Sequence, residues 1–146
     1  MKTKPEHYAD TLDALTAYRS ARFLLNTPLD ETAVEALGAD VEKIKESYTQ
    51  AQNIAKTIEK AFLNLKLTHI DGHRLSRIIY LRYMTESPMS EAEIINILSS
   101  EGIAKTRQTY QRLKETAQIL ICKYIWGNDI KEKTMKDINI PAKTAI

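Results

Sequence analysis

The longest regular feature of the chain is an apolar stripe. Val34, Leu37, Val41, Ile44, Tyr48, Ala51, Ala55, Ile58, Phe62 and Leu65 follow one another in alternating steps of three and four residues. That is the a/d repeat of a helix laying one seam against a partner. Thr27-Pro28-Leu29-Asp30 precedes it with a capping hydroxyl, a first-turn proline and an N3 carboxylate. The stripe keeps its phase across Gly38, so the reading favours one helix from Pro28 to Leu67, about 60 Å long at 1.5 Å per residue. Gly38 is the open point. Glycine costs about 1 kcal/mol in a helix interior and can end a short helix, with Asp40 capping the next. Upstream, a helix from Pro5 to about Leu25 is predicted on the face Tyr8, Leu12, Leu15, Tyr18 and Leu25, broadened by Phe23 and Leu24. The two form an antiparallel hairpin, residues 1–67. The first helix is too short to cover the whole stripe. The remainder falls to the C-terminal half or to a second chain, and the hairpin is expected to dimerise as well. An intramolecular helix–helix core is the alternative.

The second half is three helical segments with short breaks. His73 to Thr85 carries Leu75, Ile78, Ile79, Leu81 and Tyr83, and Glu86-Ser87-Pro88-Met89 is a turn. Ser90-Glu91-Ala92-Glu93 is an S-x-x-E capping box that opens a helix with Ile94, Ile95, Ile97 and Leu98. Ser99-Ser100-Glu101-Gly102 reads as a turn. Thr106 then caps a long helix with the face Tyr110, Leu113, Ala117, Leu120, Ile121 and Tyr124, which should stop at Trp126-Gly127. Residues 127–146 have weak periodicity and read as a frayed tail. The expected fold is all-α: a helical hairpin followed by a helix-turn-helix unit over residues 73–126.

Composition agrees with helices joined by few turns, since 146 residues hold only four glycines and four prolines. An all-β chain would need a turn every 8–12 residues. No apolar run approaches the ~18–20 residues of a membrane span. The amino end lacks the apolar stretch of a signal peptide. The single Cys122 cannot form an internal disulfide, so the expectation is a reducing bacterial cytoplasm. It sits on a presumed buried face, as core rather than as a nucleophile. There is no Gly-rich phosphate loop, no H-E-x-x-H and no cysteine pair, so neither an enzyme nor a cofactor is expected. His69, Asp71 and His73 suggest a metal, but Gly72 interrupts the histidine pair and no third strong ligand is near, so they read as loop and cap residues. Tyr80, Tyr83 and Trp126 read as packing groups.

Charge is distributed unevenly. Residues 1–73 carry 9 Lys+Arg and 11 Asp+Glu, residues 74–146 carry 12 and 8, and residues 103–136 carry 8 and 3. A capped helix, a glycine-containing turn and a basic helix make the layout of a helix-turn-helix, in which the second helix offers its amino end to base edges in the major groove. Here that end is Thr106-Arg107-Gln108-Thr109-Tyr110-Gln111-Arg112. With Tyr110 turned inward, Arg107, Gln108, Thr109, Gln111 and Arg112 face out. Arginine pairs with guanine O6/N7 and glutamine with adenine N6/N7. Lys105, Lys114, Arg77 and Arg82 are candidates for phosphate contacts, which position a protein without reading sequence.

The segments Arg74-Leu-Ser-Arg-Ile-Ile-Tyr-Leu-Arg-Tyr-Met84, Ser90-Glu-Ala-Glu-Ile-Ile-Asn-Ile-Leu98 and Thr106-Arg-Gln-Thr-Tyr-Gln-Arg-Leu-Lys-Glu-Thr-Ala117 together resemble the C-terminal helix-turn-helix of bacterial sigma factors. A helical region ahead of such a unit is similar to the small phage transcription regulators of the ArpU/RinA type. The resemblance implies a double-stranded DNA partner, admits RNA polymerase as another, and gives Thr106 the cap position and Arg107, Gln108, Gln111 and Arg112 the DNA-facing ones. Asn96 departs from the charged residue common in the scaffold helix, and the turn reads about three residues longer than usual. Two alternatives stay open. One is a phage small terminase subunit recognising packaging DNA, for which a ring of eight or more copies would speak. The other is a helical protein–protein interaction module.

Overall fold

The computed structural model describes residues 4–127, and the expected tail beyond Gly127 lies outside them. The elements are α1 (Tyr8–Leu25), α2 (Glu31–Ala36), α3 (Val41–Thr68), α4 (Gly72–Ile79) with a π-helical continuation Tyr80–Met84, α5 (Glu91–Ser100) and α6 (Arg107–Ile125). The fold is all-α, with no strand among the described residues. No helix among them is long and apolar enough to cross a membrane.

The stripe is not one helix. α2 ends at Leu37, and Gly38 takes φ +77°. The Gly38 N–H donates to the Glu35 carbonyl at 2.9 Å and the Ala39 N–H to Val34 at 3.1 Å. These two bonds close a Schellman motif, which needs the left-handed residue that glycine supplies. Asp40 then caps α3, its Oδ1 accepting from the Glu42 N–H at 3.0 Å. The 3–4 spacing runs through this break in the sequence, and Leu37 is left 86% exposed between half-buried Val34 and Val41. α1 begins at Tyr8 rather than Pro5, with His7 left-handed at φ 66°.

α1 packs along α3, and α3 also carries α4 and α6. One apolar cluster runs through Leu15 and Tyr18 of α1, Ala55, Ile58 and Leu65 of α3, Leu75 and Ile78 of α4, Ile94 and Leu98 of α5, and Tyr110 and Ile121 of α6. Residues 1–67 and 73–126 thus share a core. Phe23, expected to widen the apolar face of α1, is 75% exposed. Cys122 is fully buried, as expected. Trp126 covers the end of α6: its ring stacks on His7 at 4.0 Å and its Nε1 donates to Thr11 Oγ1 at 3.1 Å.

Two joints bind the halves. Gly72 starts α4 against the end of α3 so closely that a Cβ would lie 2.4 Å from the Leu65 carbonyl oxygen. Arg19 of α1 reaches the end of the π-helical segment, donating from Nε to the Thr85 carbonyl at 2.7 Å and from a terminal nitrogen to the Arg82 carbonyl at 3.3 Å. It satisfies carbonyls that the irregular helix end leaves over. Buried Gln118 of α6 adds a third tie. It accepts from the Tyr8 hydroxyl at 2.9 Å and donates to the Tyr83 hydroxyl at 2.6 Å.

Candidate nucleic-acid interface

The capping box forms as its sequence predicts. Ser90 Oγ accepts from the Glu93 N–H at 3.1 Å, and Glu93 Oε1 accepts from the Ser90 N–H at 3.0 Å. Both backbone and side-chain bonds from Ser90 hold the Glu93 carboxyl below its ordinary pKa. Ser99 and Ser100 belong to the last turn of α5, so the connection to α6 is residues 101–106 and not the predicted Ser99–Gly102 turn. Gly102 lies at φ 75°. Its N–H donates to Ser99 at 3.1 Å while the Ile103 N–H donates to Leu98 at 2.8 Å, a second Schellman closure. Ile103 and Ala104 then plunge into the core. Thr106 caps α6, Oγ1 accepting from the Thr109 N–H at 3.1 Å.

Of the five residues predicted to face outward, Arg107, Gln108 and Arg112 are exposed, while Thr109 and Gln111 are half-buried. At 3.6 residues per turn, Gln108 and Arg112 stand one turn apart on the outermost line, and both are exposed. Arg107, Gln111 and Lys114 lie on the adjoining line, turned toward the start of α5. Arg107 keeps 75% of its side chain in solvent while its Nε sits 2.9 Å from Glu91 Oε1. Gln111 Nε2 donates to Glu91 Oε2 at 2.9 Å. Lys105 is exposed in the connection, and Thr109 is half-buried, receiving the Thr106 hydroxyl at 3.0 Å.

Arg82 and Lys114 bracket Tyr110, which is fully buried. The Arg82 terminal nitrogen donates to the Tyr110 hydroxyl at 3.2 Å, and the Lys114 ammonium lies 5.6 Å from the ring centroid. The Arg82 Nε is enclosed without a hydrogen-bond partner. Burial works against the Arg82 charge, but the Tyr83 and Tyr110 phenols outweigh it, and its pKa is raised. Lys114 goes the other way: burial first, then Arg82 and Arg107, lower its pKa. Arg82, Arg107 and Lys114 are crowded together here with Glu91 and Glu115 as nearby acids, and burial together with the two arginines outweighs those acids at Lys114. Burial likewise pushes the Tyr110 phenol up.

Arg77 is placed elsewhere. Its fork grips Glu101 with Nε–Oε1 at 2.9 Å and the terminal nitrogen on Oε2 at 2.8 Å, tying α4 to the α5–α6 connection. Predicted as a phosphate contact, it has Nε and one terminal nitrogen engaged on Glu101 inside the molecule. His69 and Asp71 are also accounted for locally: His69 Nδ1 accepts the Asp71 N–H at 3.0 Å, and Asp71 pairs with Arg74 at 3.4 Å. Among the described residues no three His, Cys, Asp or Glu side chains are grouped to hold a metal. Sequence reasoning missed Glu91, read only as a spacer in the capping box. Its partners lie one turn apart on a helix that the sequence does not orient against α5.

Comparison of the chain with family models, with curated proteins and with solved structures returns no match.

Proposed function

We propose that the protein is a sequence-specific regulator of transcription that binds double-stranded DNA, of the kind its resemblance to small phage regulators suggests. The amino-terminal half of α6 enters the major groove. Gln108 and Arg112 on the outer ridge, with Arg107 and Gln111 beside them, address base edges, and Lys105, Lys114 and Arg82 meet phosphates. The observation that carries this reading is the capped start of α6, where Arg107, Gln108 and Arg112 stand exposed and Gln111 half-exposed beside the crowded cations Arg82 and Lys114. Arg and Gln are the side chains whose donor and acceptor spacing matches guanine and adenine.

The protein acts as a homodimer in this reading. Leu37 is 86% exposed, and Val34, Val41, Ile44 and Tyr48 are only half-buried within one chain. A second copy laid on that end would cover them and present two recognition helices to two half-sites.

The test is selection of duplexes from a randomised library by the full chain, followed by titration of the selected sequence. Arg107→Ala and Arg112→Ala should each weaken specific binding by about 1–3 kcal/mol and relax base preference, while Lys114→Ala should weaken all duplexes alike and reduce the salt slope by about one. With ~5 phosphate contacts the wild-type log–log slope lies near −4 to −5. Unchanged affinity in both arginine variants rejects the groove assignment.

A further inference from the structure

We propose that Glu91 is a positioning residue for DNA reading, its one carboxylate holding Arg107 and Gln111 in a fixed relation so that the two address neighbouring base pairs as a unit. The inference rests on the DNA-binding reading above and names a specificity determinant that lies outside the recognition helix. Glu91 stands in the first turn of α5, one oxygen 2.9 Å from Arg107 Nε and the other 2.9 Å from Gln111 Nε2. The choice of atoms matters. The Arg107 contact is an ion pair made at Nε, which keeps the carboxylate off both terminal nitrogens, and these are the fork that reaches guanine O6 and N7. Gln111 gives one N–H to Glu91 and keeps the other N–H and its Oε1, the pair that meets adenine N7 and N6. The clamp consumes only the donors that base recognition leaves over.

Two consequences oppose each other. Fixing two flexible side chains before binding removes part of the ordering cost of the specific complex. A carboxylate facing the DNA, 32% exposed, repels phosphate and weakens binding to any sequence. Glu91 therefore raises discrimination while lowering non-specific affinity. It is outside the Ser90–Glu93 capping pair, so its replacement leaves the start of α5 closed.

The experiment titrates the selected duplex and a scrambled one with Glu91→Ala, Glu91→Gln, Arg107→Ala/Gln111→Ala and the triple variant, after circular dichroism has shown unchanged helicity and melting. Glu91→Ala should bind the scrambled duplex a few-fold more tightly and lose about tenfold in the ratio of selected to scrambled affinity, from the ordering of two side chains. Glu91→Gln should gain the same on scrambled DNA and lose less of the ratio. In the Arg107→Ala/Gln111→Ala background, Glu91→Ala should still tighten scrambled binding but leave the ratio unmoved, so that the ratio responds to Glu91 only when both side chains are present, a dependence that a purely electrostatic role does not produce. An unchanged ratio for Glu91→Ala beside a lowered one for Arg107→Ala/Gln111→Ala overturns the clamp and spares the DNA reading. A wild-type chain that selects no sequence overturns both.

Discussion

The two ends of the apolar stripe share a spacing and differ in what covers them. At the carboxyl end of α3, the stripe residues Ala55, Ile58 and Leu65 are at most 1% exposed and Phe62 is half-covered, closed over by α1, α4 and α6. At the amino end Leu37 is 86% exposed, and Val41, Ile44 and Tyr48 are half-covered. α1 runs out at Leu25 and the short α2 buries none of its residues. A 3–4 repeat therefore states which side of a helix is apolar. Whether that side is occupied depends on elements distant in the sequence. The same residue types make a core at one end and an unfilled surface at the other.

The sharpest way to measure that difference is to truncate one leucine at each end. Leu65→Ala opens a cavity at the meeting of α3, α4 and α6 and should cost about 2–5 kcal/mol in urea unfolding. Leu37→Ala removes a side chain already in water and should stay within about 0.5 kcal/mol at dilutions where the chain is monomeric. At high concentration the order of interest reverses. If a second copy covers the amino end, Leu37→Glu lowers the mass seen by light scattering while Leu65→Ala does not. Equal losses for the two alanine variants in dilute solution would mean that the stripe is uniformly buried, contrary to this fold.

The glycines at the two ends make a second, smaller contrast. Gly72 is fixed by lack of space, since an added Cβ meets the Leu65 and Lys66 carbonyl oxygens at 2.4 and 2.5 Å. Backbone must shift, and Gly72→Ala should cost about 1–3 kcal/mol, with the melting point falling accordingly. Gly38 is fixed by conformation: nothing lies within 4 Å, but φ is +77°. Gly38→Ala should cost about 1 kcal/mol from the left-handed geometry alone. Gly38→Asn should recover part of it, because asparagine tolerates that region. Asparagine at 72 should rescue nothing.

These cases show where the sequence was legible. Local bonding patterns were: the Ser90–Glu93 capping box, the Thr106 cap and the end of α6 near Trp126 all form within a few residues of chain, and they fold as their spacing predicts. The all-α class followed from periodicity and the few glycines and prolines, and period placed Ala51, Ala55, Ile58 and Leu65 of α3 and Tyr110, Leu113, Ala117 and Ile121 of α6 on their buried faces. The break at Gly38 was ambiguous because the stripe keeps its 3–4 spacing through it, and spacing along the sequence is blind to a turn that interrupts the helix. Partnerships across the fold were not legible. Arg19 with Thr85, Gln118 with Tyr8 and Tyr83, Arg77 with Glu101 and Glu91 with Arg107 join residues that no periodicity relates. At the start of α6 the exposure of Arg107, Gln108 and Arg112 was legible from the inward turn of Tyr110, while the half-covered state of Thr109 and Gln111 was not. The division of this helix start into two ridges, one clamped by α5, required knowing how α5 and α6 face each other.

The smallest effect lies on the α1–α3 seam, where the Tyr18 hydroxyl donates to Glu59 at 2.6 Å and Arg22 pairs with the same carboxylate at 3.6 Å. At neutral pH, Tyr18→Phe should cost no more than about 1.5 kcal/mol, the net worth of one hydrogen bond. Burial first, and the bond to Glu59 second, raise the Tyr18 pKa well above that of a free phenol. A raised folded-state value means that the unfolded chain loses its proton first. The stability that Tyr18 contributes is complete below the unfolded value near 10 and declines as pH rises from there toward the folded one. Urea midpoints from pH 8 to 11.5 should therefore fall more steeply for the wild type than for Tyr18→Phe, narrowing the gap between them at the alkaline end. A gap that stays constant through pH 10 and above would place the Tyr18 hydroxyl in water, and the seam at this point would then resemble the open amino end of the stripe.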